Sequence, residues 1–202
     1  MPSRNTAGTR IGSLVIAAAL SLAVTAPTSA QQSGGTIFGG RVGGFDDGTT
    51  RAAFGTGWMV STDKMAGGRS TAAIDVVDGG ANGTPKSLSV TGNVFGPLPY
   101  AWAGVMFMAG AQPMQPANLS KGKGICFWAK GDGKTYKIML FSQSRGMTPL
   151  MQDFIAGPQW KEYNFTFNSF GGLDGSDVLG FAFTGGPITR AVALQIDEVE
   201  IR

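Results

Sequence analysis

The stretch "GICFWAKGDGKTYKIMLF", Gly124 to Phe141, admits two readings, and the choice between them decides the fold. Its centre, Gly131-Asp132-Gly133-Lys134-Thr135, ends in the Gly-Lys-Thr of phosphate-binding loops. Such a loop needs an earlier glycine five positions before its Gly-Lys, and it must feed a helix whose free amides hold the anion. Trp128 stands where that glycine should be. The residues that follow, Tyr136-Lys137-Ile138-Met139-Leu140-Phe141, alternate and carry aromatic and branched side chains, the mark of a strand. Asp and Gly accept the positive φ that tight turns demand. The stretch therefore reads as two strands joined in a hairpin. Ile125, Phe127 and Ala129 fall on one face, with Cys126 and Trp128 on the other.

The same signals continue along the chain. "TAAIDVVD" (71–78), "SLSVTGNVF" (87–95), "AWAGVMFM" (101–108), "WKEYNFTFNSF" (160–170), "DVLGFAFT" (177–184) and "VALQIDEVEI" (192–201) each read as strands. "MTPLMQDFIAG" (147–157) could hold a single helical turn. The chain has 202 residues with 32 Gly and 10 Pro, and 43% of it is hydrophobic, too apolar for disorder and rich in turns. About eight strands with no sustained helical period predict an all-β antiparallel β-sandwich or jelly roll.

Histidine is absent, which removes Ser-His and Cys-His catalysis. One cysteine without histidine cannot build the common zinc sites. Cys126 lies in an apolar strand and reads as a buried, inert thiol. Asp75 and Asp78 do not share a face in an extended strand, so no glycosidase pair emerges. The expectation is a chain that is not an enzyme.

Residues 1–30 have the three parts of a secretory signal peptide. Arg4 and Arg10 precede the apolar run "IGSLVIAAALSLAV", and "TAPTSA" supplies the small residues of a cleavage site. The expected organisation is a signal peptide over 1–30, a flexible Gly-rich lead-in over 31–43 and one sandwich domain over 44–202. The expected location is the periplasm or the secreted fraction, with no membrane contact after cleavage. Without Arg4 and Arg10 the 16 basic residues become 14 against 13 acidic ones. Lys121, Lys123, Lys130, Lys134 and Lys137 read as a solvated rim, and no nucleic-acid footprint appears.

Four stretches in order carry a resemblance. "STDKMAGGRS" (61–70), "FWAKGDGKTYKIMLF" (127–141), "PQWKEYNFTFNSFGG" (158–172) and "LQIDEVEI" (194–201) resemble the motifs of the complex I intermediate-associated protein family. The resemblance implies a galactose-binding-like sandwich, related in shape to carbohydrate-binding modules. "LPYAWAGVMF" (98–107) is similar to the form appended to secreted bacterial amidohydrolases. A glycan or a protein is then the expected partner of a non-catalytic binding module. An assembly or chaperone-like factor, or an accessory domain to a separate amidohydrolase, are the alternatives.

Tyr100 and Trp102 follow a proline-rich loop and share a parity, so as a strand they would present one sugar-stacking face. Gln143 and Arg145 are candidate donors to hydroxyls, with a plain solvated loop as the alternative. Trp128 and Trp160 sit inside strand patterns and read as core. Asp63, Gly67, Gly68 and Arg69 form the entry turn, which an Asp63–Arg69 pair could fix. Galactose-binding-like folds often hold structural calcium, and Asp197 is the speculative ligand, with backbone hydrogen bonding as the alternative role. No other cofactor is expected.

Overall fold

The computed structural model describes residues 38–202 except 97, 147 and 189. The expected signal peptide over 1–30, and the expected lead-in up to residue 37, lie outside the described residues. Eleven strands are present: β1 (Gly40–Gly43), β2 (Trp58–Thr62), β3 (Thr71–Asp78), β4 (Lys86–Val94), β5 (Ala103–Met108), β6 (Gly124–Gly131), β7 (Thr135–Ser142), β8 (Leu150–Ile155), β9 (Lys161–Thr166), β10 (Val178–Gly185) and β11 (Arg190–Ile201). They form two antiparallel sheets. One has the order β3-β4-β11-β6-β9, with β1 also paired to β11; the other has the order β2-β5-β10-β7-β8. The fold is a β-sandwich, as the alternation predicts.

The core lies between the sheets. Trp58, Phe107, Phe127, Phe154, Phe181 and Phe183 meet there through ring contacts such as Phe127–Phe183 at 4.6 Å and Phe107–Phe181 at 5.1 Å. Each such side chain contributes about 1.5–3 kcal/mol through burial alone. With a single cysteine, no disulfide shares this role.

The opening stretch is made of strands, but it is not a hairpin. β6 pairs with β11 and β9, whereas β7 pairs with β10 and β8 in the opposite sheet. The Gly-Asp-Gly turn therefore crosses from one sheet to the other. It does not fold back because its amides are engaged elsewhere. Gly131 N–H donates to the Gly157 carbonyl at 2.7 Å, Gly133 N–H donates to Ala156 at 2.8 Å, and Ala156 N–H donates to Lys134 at 3.2 Å. Gly133 takes φ +81°, which only the missing Cβ makes easy. Ile125, Phe127 and Ala129 do enter the core, as their parity requires.

Two further expectations are corrected, and one strand was not anticipated. Residues 147–157 contain strand β8 rather than a helical turn, with Phe154 buried between exposed Asp153 and Ile155. The ordered chain begins before Gly44. β1 pairs with the end of β11, and Phe38 stacks on Phe54 at 4.5 Å. Gly-rich composition hid this strand because its hold on the fold is backbone pairing. Trp58 opens strand β2, which lacks enough alternation to stand out.

The two outer faces differ. β10 is buried on both sides. Its outward Ala182 lies in register between Met106 and Met139, with Met59 and Met151 next in the same row, so methionines blanket that face. On the other sheet, Ala191 and Ala193 of central strand β11 are exposed. The six-stranded sheet is the one with an open outer face.

Candidate functional site

The outward residues of the open sheet fall into rows perpendicular to the strands. Asp75 of β3 is opposite Ser89 of β4, Ser89 is opposite Gln195 of β11, and Gln195 is opposite Lys130 of β6. The next row is Ala73, Thr91 and Ala193. Neighbouring strands are about 4.8 Å apart, so the four-residue row spans roughly 14 Å. Small side chains in one row and longer polar ones in the next leave a groove of about 410 Å³. Its floor is Ser89, Thr91, Ala193 and Gln195, and Lys130, Asp132 and Pro158 rise at one end.

Each polar group has a definite state. Gln195 Oε1 accepts from the Ser87 hydroxyl at 3.3 Å, which leaves its amide NH2 to donate elsewhere. Partial burial pushes the Asp132 carboxyl up. Hydrogen bonds from Lys134 at 2.6 Å and Tyr136 at 2.9 Å outweigh it, so the group lies below the usual carboxylate range. Burial pushes the Tyr136 phenol up to about 12, so it stays neutral and joins the corner to β11 at Ala193. Lys130 Nζ stands 4.7 Å from the centre of the Trp160 ring and fixes it beside the groove by a cation–π contact.

The family model for Complex I intermediate-associated protein 30 (CIA30) matches residues 48–174. The chain belongs to the CIA30 family. No curated protein matches the sequence. The CIA30 domain is similar in structure to the family 11 carbohydrate-binding module of cellulosomal cellulase Lic26A-Cel5E of Clostridium thermocellum. The TM-score is 0.61 and the identity 14%, over 82% of this chain and 95% of that one. The Clostridium thermocellum family 11 module in complex with a beta-1,3-1,4-mixed-linked tetrasaccharide gives TM-score 0.57 and 16% identity, over 82% and 96%. An exo-beta-agarase gives 0.58 and 12%, over 81% of this chain and 24% of that one. At these identities the likeness is one of fold.

Within the CIA30 domain the residues anticipated from sequence do not gather at one place. Tyr100 and Trp102 precede β5 and lie in a loop, not on a strand face. Tyr100 is exposed, whereas Trp102 is half-buried and donates Nε1–H to Ser61 at 3.0 Å. Gln143 and Arg145 occupy a 3-10 turn after β7, where Arg145 donates to the Gly171 carbonyl at 2.9 Å. Ala103 pairs with Gly185 and Ser142 pairs with Val178, so the two groups stand at opposite ends of β10. Seven strand steps of about 3.3 Å put roughly 23 Å between them. Trp128 and Trp160, expected in the core, are half-buried instead, and Trp128 belongs to the outward face of β6.

The entry turn is held by a different partner from the one anticipated. Asp63 is buried and accepts from Ser70 N–H at 2.9 Å and Ser70 Oγ–H at 2.7 Å, while Arg69 is exposed. A Cβ on Gly68 would fall 2.2 Å from Asp63 Cγ, and Gly67 takes φ +81°. Asp197 is fully buried. Its Oδ2 accepts from Ala81 N–H at 2.8 Å and Thr84 Oγ1–H at 2.7 Å, and its Oδ1 accepts from Glu198 N–H at 2.8 Å. Burial raises its carboxyl against the effect of these bonds. Nearby, Arg41 donates to Asp46 at 3.2 Å and to Glu198, so a cation already faces the carboxylates. Among the described residues, no three His, Cys, Asp or Glu side chains converge to hold a metal. The Cys126 thiol donates to Glu162 at 3.1 Å, and burial pushes it up to about 12.

The groove residues other than Lys130 and Asp132 were visible in sequence only as a pattern. Ser87, Ser89, Thr91 and Asn93 are the small polar half of an alternating strand. Alternation says that they face outward, but not that their sheet stays uncovered.

Proposed function

We propose that this CIA30 domain is a non-catalytic glycan-binding module, and that an extended sugar chain lies in the groove over Ser89, Thr91, Ala193 and Gln195. The observation that carries this is the open row of hydroxyl and amide groups beside Trp160, on a sheet whose central strand is exposed. Sugars offer paired hydroxyls to such groups and an apolar ring face to an indole. Asp132 stays anionic through its Lys134 and Tyr136 bonds, and acts as a fixed acceptor at the groove end. Asp75 on β3 and Asp132 just after β6 flank the floor from three strand intervals, roughly 14 Å, apart, beyond the reach of an acid–base pair, which favours binding without cleavage. The fold shared with a module solved in complex with a beta-1,3-1,4-mixed-linked tetrasaccharide supports the same reading and suggests the first ligand to try.

Calorimetric titration of the protein with beta-1,3-1,4-mixed-linked tetrasaccharide, alongside agaro-oligosaccharides, tests it. Gln195→Ala is expected to weaken binding about tenfold, the loss of one or two neutral hydrogen bonds. Trp160→Ala is expected to weaken it at least as much. Failure to bind neutral glycans of either class would overturn the proposal. Action outside the cytoplasm is part of the reading and rests on the N-terminal sequence. Recovery of the protein from the periplasm or medium, with a mass that begins at Gln31, is the expected result.

A further inference from the structure

The four most exposed large apolar side chains among the described residues are Met65 (91%), Tyr100 (76%), Ile188 (76%) and Ile155 (62%). Three stand in separate connections and the fourth closes strand β8, yet all four lie at the same end of the sandwich. Met65 follows β2, Tyr100 precedes β5, Ile188 follows β10 and Ile155 ends β8. Thr62 pairs with Ala103, Ala103 with Gly185, and Thr135 with Ile155, so these positions share one edge of the β2-β5-β10-β7-β8 sheet. The apolar tips thus run in order along that edge over four strand intervals, roughly 19 Å.

The platform under the tips is built. Ser70 Oγ donates to Asp63 and accepts from Phe95 N–H at 3.0 Å, which fastens the Met65 turn to the loop that bears Tyr100. Asp63 N–H donates to the Trp102 carbonyl at 3.1 Å. Gly186 leaves no room for a Cβ, which would stand 2.1 Å from the Ala101 oxygen, so the Ile188 loop packs tightly on the same segment. Arg190 donates to the Thr135 carbonyl, opposite Ile155.

The charge here is one-sided. Lys64 and Arg69 flank Met65 and are exposed, and neither forms an ion pair among the described residues. The acid of that turn, Asp63, is buried against Ser70. Two acids toward the same end are each paired with a lysine, Asp132 with Lys134 and Asp153 with Lys137. Single apolar residues on a surface need no explanation, but a row of them at one end of a sheet does.

We infer that this end of the sandwich is a peripheral membrane contact that presses its apolar tips into an anionic lipid surface. Met65, Tyr100 and Ile188 stand on separate connections. A fluid interface accepts separate wedges, and its anionic headgroups complement Lys64 and Arg69. Tyr100 is the residue type that rests at headgroup depth. The inference is independent of the glycan groove, and it gives the folded domain a membrane contact that its sequence did not announce.

Co-sedimentation of the full chain with vesicles tests it. Vesicles of phosphatidylcholine alone are compared with vesicles that also contain phosphatidylglycerol. The first variant carries Met65→Ser, Tyr100→Ser and Ile188→Ser, and the second carries Lys64→Glu and Arg69→Glu. The N-terminal segment is common to all, so differences report the tips. The wild type is expected to prefer the anionic vesicles. Each variant should lose at least about tenfold in partitioning, given the methylenes and charges removed. Melting temperature and glycan titration should match the wild type. Glycerol phosphate should not compete. Equal partitioning of the first variant and the wild type would overturn the inference, as would competition by glycerol phosphate or no binding to either vesicle.

Discussion

Asp197 shows how a single side chain can serve the fold while resembling a ligand. It sits in the longest strand next to Glu198, a non-glycine residue at φ +46°, where the β11 register with β6 slips between Asp197 and Glu200. The Asp197 carboxylate ties the turn at Ala81 to this strand. Asp197→Ala would leave the buried Ala81 N–H without its acceptor, and a loss of about 3 kcal/mol is expected in denaturant unfolding. Because burial raises this carboxyl, its ionisation opposes folding. That cost is absent below the ordinary Asp value and sets in as pH rises through the raised one. Addition of calcium is expected to leave the melting temperature of the wild type unchanged, since Arg41 already bridges Asp46 and Glu198. A calcium-dependent rise would contradict this account of the site. The acid at position 197 was legible in sequence. Its partners were not, because Ala81 and Thr84 lie more than a hundred positions away.

At the scale of elements, the turn at Gly131–Lys134 is the instructive case. Alternation identified both flanking strands, and the parity of Ile125, Phe127 and Ala129 gave their inward face. Whether two strands pair or part is a property of the sites that receive their amides, here Ala156 and Gly157 at the start of another connection. Local sequence carries no record of that choice. The corner depends on Tyr136, whose hydroxyl touches Asp132 and both backbone groups of Ala193. Tyr136→Phe is expected to cost about 1–2 kcal/mol, mainly through the unpaired partners it leaves. Asp132 adds a pH signature. Its folded-state value is depressed, so its contribution is present above the ordinary Asp value of about 3.9 and is lost as pH falls from there through the depressed one. The stability gap between wild type and Asp132→Asn, measured by denaturant unfolding at neutral pH, should therefore close in acid. β8 escaped notice for a related reason. It is an edge strand with one fully buried side chain, Phe154, and its other residues follow its neighbours rather than a strong pattern of their own.

For the whole molecule, the two sheets have divided their roles. One outer face is blanketed by methionines over β10, and the other leaves Ala193 and Thr91 open between polar neighbours. The sandwich and its family were legible because they rest on alternation and on ordered local motifs. The groove was not, since it is assembled from β4, β6 and β11 by register, and since Trp160 reads equally well as core until its sheet face is known. The aromatic pair that stood out in sequence, Tyr100 and Trp102, marks the end of the sandwich instead. Labelled-amide NMR titration of the protein with beta-1,3-1,4-mixed-linked tetrasaccharide is the most direct test of the groove. The account predicts shifts at Ser89, Thr91, Lys130 and Gln195 and at the Trp160 indole, with Gln143 and Arg145 unmoved. Shifts confined to Tyr100 and Trp102 or to Gln143 and Arg145, or no shift at any residue, would contradict it.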